Sequence, residues 1–262
     1  SYTGGAVGYI VGSMSDVYHT TGNVSGYGSY VGGLAGHMYG PIVSSFHENG
    51  NIKGKNFVGG LSGICNSNII SSHVNADIIG SANYVGGLIG LSVRRINTTN
   101  GTKNDSTFVK DSYFAGNVEG ENYVGGLIGL DSVYKILDKL TSNSIHCYIK
   151  SQTRVCDTTF TNNPSSKLIK RNVVNSSSKG NVKGLHYVGG LVGNQGLGSD
   201  SAAYLSSGHI LFSVCLCNHS EGVVEGDSNY VGGIIGSSNG LVEDVYHIGG
   251  NVKGNSYVGG LI

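Results

Sequence analysis

Apolar and polar residues alternate along this chain in short runs, and Gly, Asn and Ser clusters interrupt them every few positions. The plainest stretch spans residues 230–256. It opens with Tyr-Val-Gly-Gly-Ile-Ile-Gly and turns through Ser237-Ser238-Asn239-Gly240. It resumes at Leu241-Val242-Glu243-Asp244-Val245-Tyr246 and closes with Gly249-Gly250-Asn251-Val252-Lys253-Gly254. A period of two bounded by turn formers predicts short β-strands joined by tight turns, and no regular stretch keeps a helical period. The opening phrase recurs from Tyr2, Tyr30, Phe57, Tyr84, Tyr123, Tyr187, Tyr230 and Tyr257, at intervals of 28, 27, 27, 39, 64, 43 and 27 residues. A period near 27 with local insertions means one supersecondary unit stacked on itself, because a single unit cannot bury its own apolar face. Two or three strands per unit predict an all-β, right-handed parallel β-helix of about seven coils, a single domain over residues 1–262. Coils ~4.8 Å apart give a stack roughly 34 Å long.

Stacking turns each repeat position into a column. Val31, Val58, Val85, Val124, Val188 and Val231 form one apolar column, and Leu34, Leu61, Leu88, Leu127, Leu191 and Ile234 another; both are assigned to the core. Tyr30, Phe57, Tyr84, Tyr123, Tyr187, Tyr230 and Tyr257 form an aromatic column whose ring contacts are each worth ~0.5–1.5 kcal/mol. The Gly-Gly pair gives two columns without side chains, suited to a sharp bend or a close approach of another layer.

The repeat resembles the GLUG motif, named for its Gly-Leu-any-Gly core. That core stands here as Gly33-Leu34-Ala35-Gly36, Gly60-Leu61-Ser62-Gly63, Gly87-Leu88-Ile89-Gly90, Gly126-Leu127-Ile128-Gly129 and Gly190-Leu191-Val192-Gly193. A companion step stands as Asp111-Ser112-Tyr113 followed by Gly116-Asn117-Val118-Glu119-Gly120. The resemblance implies a β-solenoid on large extracellular proteins such as bacterial adhesins and stalk regions, and it carries no catalytic residues.

Three units carry insertions, near residues 92–108, 131–171 and 195–210, all after the Gly-Leu-X-Gly strand. They are expected to leave one edge of the stack on consecutive coils as a lobe, and Ile136 and Leu140 would share one face of a short helix within it. Cys147 and Cys156 lie in the longest insertion, and Cys215 and Cys217 in the strand that follows the third. In an oxidising compartment the first two suit a local bridge, with cross-links from the lobe to the following unit as alternatives. Cys215 and Cys217 alternate along a strand and should not pair with each other. Cys65 is expected to be a free buried thiol or an intermolecular link, and a zinc site lacks a second matched pair.

Sixteen basic and sixteen acidic residues balance, and only 12% of the chain is charged. This argues against nucleic acid as a partner, and no apolar run is long enough for a membrane-spanning helix. Six sequons, at Asn23, Asn97, Asn100, Asn104, Asn175 and Asn218, are candidate glycan sites on a secreted chain. His19, His47 and His247 share a repeat position and read as a solvent-facing column, with a two-histidine metal site as the alternative. Carboxylates are scattered, no catalytic constellation is present, and no cofactor is implied. The chain opens and stops inside a repeat phrase, so further repeats are expected beyond it. The sequence reads as a structural segment of an extracellular filament or stalk that joins itself or adjoining repeats end to end. The alternative is an adhesin that binds a host glycan or surface protein through the lobe or the tyrosine column. A carbohydrate-active β-helix enzyme is a weaker third reading.

Overall fold

The computed structural model is a parallel β-helix, and it describes residues 1–95, 108–134, 144–150, 153–159, 170–197, 212–238 and 241–262. No helix occurs among the described residues. Four parallel sheets run along the stack. The first is eight-stranded and is built from the Val-Gly steps, from Thr3–Gly4 to Ser256–Gly259. The second is seven-stranded and begins with Val7–Ile10, the third has 12 strands, and the fourth is seven-stranded and includes Ile52–Gly54. Each repeat position lies on its counterpart: Val31 pairs with Val58, Val58 with Val85, Val85 with Val124 and Val124 with Val188. The last two steps cross the 39- and 64-residue intervals without a slip.

The core follows from these columns. Val31, Val58, Val85, Val124, Val188 and Val231 are fully buried, as are Leu34, Leu61, Leu88, Leu127, Leu191 and Ile234. The fourth sheet faces them with Val24, Ile52, Ile78, Val118, Val182 and Val224, and the third contributes Ile42, Ile69, Val109 and Val173. No unit could exclude water from such residues alone; each coil becomes the lid of the one before it.

Tight approach explains the glycine pair. A Cβ on Gly86 would overlap the Ile89 carbonyl oxygen of its own corner. A Cβ on Gly87 would overlap the Gly126 carbonyl oxygen of the next coil and the ring of Phe114. The first glycine makes the bend and the second lets two layers meet.

The third sheet is crossed twice by each coil, because the chain kinks there. Asp16, Ser44, Ser71, Asp111, Asn175 and Asp244 stand in one column with φ between 47° and 56°. Asp and Asn tolerate this left-handed conformation better than other residues with a Cβ. At the kink a buried column takes over the hydrogen bonding. The backbone N–H groups of Val17, Ser45, Ser72 and Ser112 donate to the hydroxyls of Ser45, Ser72, Ser112 and Ser176 at 3.1, 3.1, 3.2 and 3.3 Å. The Ser176 N–H donates to Asn218 Oδ1 at 2.8 Å. Those four hydroxyls donate in turn to the carbonyls of Val43, Ile70, Lys110 and Val174, two residues back along their own coils. Each buried donor therefore finds an acceptor despite the break in the strand.

The insertions share one seam. Second-sheet strands lengthen at Ile89–Arg95, Ile128–Tyr134 and Val192–Leu197, and the chain re-enters the third sheet at Phe108–Lys110, Lys170–Val174 and Phe212–Glu221. These roots pair on consecutive coils, Arg94 with Val133 and Lys170 with Phe212. Ser132, Val133 and Tyr134 belong to a strand that continues the second sheet. Ile136 and Leu140, on which the expected short helix rests, lie outside the described residues. Within the longest insertion, Ser144–Lys150 pairs antiparallel with Thr153–Thr159, which sets Cys147 opposite Cys156. Cys215 is registered on Val173 and Val242, in the third sheet.

Candidate functional site

Three columns on the outside of the stack and two inside it carry the chemistry of the described residues. The first outer column is the predicted aromatic one. From Tyr30 to Tyr257 successive ring centroids are 4.8–5.0 Å apart with interplanar angles of 2–10°. All seven residues have φ between 51° and 67°. A bulky side chain in the left-handed region costs ~1–2 kcal/mol. The strain recurs at each coil, and the ring stack is the contact available to offset it. Burial, and then the neighbouring phenols Tyr84 for one and Tyr123 and Tyr230 for the other, push the Tyr123 and Tyr187 hydroxyls above the ordinary tyrosine pKa. Within the column each ring covers the face of the next. The column shows solvent its edges, and ring faces are what a pyranose would stack on.

The second outer column was not read from the sequence. Tyr18, Phe46, His73 and Tyr113 stack at 4.5, 4.8 and 4.7 Å on the third sheet, and His219 stacks on Tyr246 at 5.1 Å. Its signal was present: in three units a buried serine comes immediately before the column residue, at Ser45, Ser72 and Ser112. His73 Nε2 lies 3.1 Å from Glu48 Oε1. A third outer column, on the fourth sheet, runs Glu119, Lys183, Glu225, Lys253 in strict register. Opposite charges on adjacent strands add ~0.2–1 kcal/mol per pair and penalise a slip by one coil.

The histidines correct the solvent-facing expectation. His19, His47 and His247 belong to an inward column with Val74, Phe114, Ser178 and Ser220, set against the second glycine of each Gly-Gly pair. The two-residue alternation puts Tyr18 and Phe46 outside and therefore their neighbours inside. His19 and His47 stack at 4.7 Å with Nδ1 atoms 2.8 Å apart, so one ring must hold the proton that the other accepts. His47 is fully buried, and burial and then His19 lower its pKa to about 4. His247, whose Nδ1 lies 2.8 Å from the Ser220 hydroxyl, is also lowered by burial. Among the described residues no group of three or more metal-ligating side chains occurs.

The sequons separate by burial. Asn23 and Asn175 are exposed, and Asn175 Nδ2 donates to Asp111 Oδ1 at 2.6 Å. Asn218 contradicts its sequon: it is fully buried, its Oδ1 accepts the Ser176 N–H and its Nδ2 donates to the Val173 carbonyl at 2.7 Å. It stands in the serine column, where a glycan has no space. Glycopeptide mapping after expression in a glycosylating secretory host should find Asn218 unmodified in folded protein; occupancy there would mean the wall opens at that coil. Asn97, Asn100 and Asn104 lie outside the described residues. Cys65 is a free, fully buried thiol whose pKa burial raises to about 11, so it is held unreactive.

The insertions also alter the interior. One inward column of the second sheet reads Met38, Cys65, Ser92, Asp131, Gln195 and Ser238. It is apolar before the insertions begin and polar from the first of them onward. The Ser238 hydroxyl donates to Gln195 Oε1 at 3.1 Å. The chain matches no known protein family, no curated protein and no solved structure.

Proposed function

We propose that this chain is a structural extracellular repeat protein, a segment of a surface filament or fibrous stalk built by axial stacking of β-coils. The carrying observation is the register, which holds residue for residue across an interval of 64 residues. A scaffold whose work is axial continuity needs this property, and a globular binding domain does not. Buried apolar columns and stacked rings repeat along the axis, so each coil is held to the next by these two sets of contacts. In this reading the partners are adjoining repeats or further copies of the chain, met end to end through backbone pairing. Neither a cofactor nor catalysis belongs to it.

A second reading, an adhesin for a host glycan or surface protein, has one observation in its favour. Three insertions are rooted on consecutive coils along one seam, so their points of departure lie side by side. The edge-on rings make the tyrosine column the poorer candidate and the lobe the better one. Electron microscopy of the native full-length material tests the choice. Long filaments with a ~4.8 Å axial layer spacing are the expected result. Short isolated rods that bind a glycan array through the lobe would overturn it in favour of the adhesin.

A further inference from the structure

We propose that the tyrosine column is a site of oxidative cross-linking, at which a peroxide-dependent haem oxidant joins adjacent coils through dityrosine bonds. Tyr84, Tyr123, Tyr187 and Tyr230 are consecutive in the stack although 39, 64 and 43 residues apart in sequence. Tyr123–Tyr187 and Tyr187–Tyr230 are the closest to parallel, with centroids 4.8 Å apart and planes 2° apart. All four are half-buried, with the ring in the stack and an edge at the surface where an electron can be withdrawn. The inference rests on the geometry of the stack and not on how rods join.

The chemistry closes without a further reagent. Each of two phenols loses one electron and one proton to give a tyrosyl radical. The radicals couple through ortho carbons, and the two ring hydrogens at the new bond move to the oxygens, restoring both phenols. Two electrons and two protons leave the protein, and with them one hydrogen peroxide is reduced to two waters. Coupling requires two radicals or a radical and a ring in contact, and a preset contact removes the entropy of bringing them together. Elsewhere the arrangement is less favourable or only continues the column. Tyr113 stacks on His73 and Tyr246 on His219. Tyr2 meets Tyr9 and Tyr30 with planes tilted by 56° and 31°, and Tyr257 extends the same stack beyond Tyr230. Tyr27, wholly exposed, serves as an internal control for coupling between molecules.

The test treats dilute protein with a haem peroxidase and hydrogen peroxide, then reads dityrosine fluorescence and maps cross-linked peptides. Expected are Tyr123–Tyr187 and Tyr187–Tyr230 links within one molecule, in a yield independent of protein concentration. Tyr187→Phe should abolish both and leave Tyr84–Tyr123; the column accepts a phenyl ring, as Phe57 shows between Tyr30 and Tyr84. The same treatment of wild-type protein in urea should lose these links, which keeps the proposal testable if the variant folds poorly. Links that grow with protein concentration, that centre on Tyr27, or that survive in urea would overturn it. So would an absence of dityrosine.

Discussion

Gly87→Ala is expected to loosen the central coils, lowering stability by about 3 kcal/mol. The added Cβ meets the Gly126 carbonyl oxygen and the ring of Phe114 at once. The carbonyl belongs to the next coil's backbone and can retreat only if that coil lifts away. Phe114 is 1% exposed and stands between Val74 and Ser178 in the inward column, so it has no rotamer to escape into. Lifting one coil forfeits its contacts with both neighbours, because stability in a stack is largely a sum of nearest-neighbour terms. Gly12→Ala is the matched control, since a Cβ there meets no atom within 4 Å. Urea or thermal melts followed by circular dichroism compare the two. Equal midpoints for the variants would mean that the coils are spaced more loosely than the structure has them.

Acid should loosen the first two coils through His47. Its pKa falls from 6.5 in the unfolded chain to about 4 in the folded one, so between those values the unfolded chain binds a proton that the folded chain refuses. Stability therefore declines as pH drops from about 6.5 and is fully lost from this source below about 4. The loss is on the order of 2 kcal/mol, below the full conversion of the shift because His19 is partly exposed and water screens the pair. Carboxylates titrate in the lower part of the same window, so the informative quantity is a difference between proteins. Val74 occupies the same inward column in the next coil, which makes His47→Val the apt variant. Hydrogen exchange at pH 7 and 4.5 should show the Tyr18–His19 and Phe46–Glu48 strands losing protection in the wild type and keeping it in His47→Val. The same acid sensitivity in both proteins would assign the effect to other groups.

How much of this was legible follows from what a repeat encodes. The valine and leucine columns were readable because a stacked unit must put identical positions above one another, and identical positions carried identical apolar residues. The aromatic column was readable for the same reason. Its left-handed backbone was not, since tyrosine and phenylalanine are poor advertisements for positive φ. The serine column escaped because serine in a turn-rich chain looks like ordinary polar composition. Asn218 was misread as a glycan site for that reason: a sequon is three letters long, while the wall that buries it is built from other coils. The histidines were set facing outward because polarity was weighed above parity along the strand.

The sequence by itself determined the period, the parallel stacking, the core columns and the points at which the insertions leave, since all of these follow from which residue types recur and how far apart. Only the tertiary structure decided which face each polar residue takes. A kink in the third sheet resets the two-residue alternation, and contacts from the coils above and below fix whether a serine, asparagine or histidine is wall, core or surface.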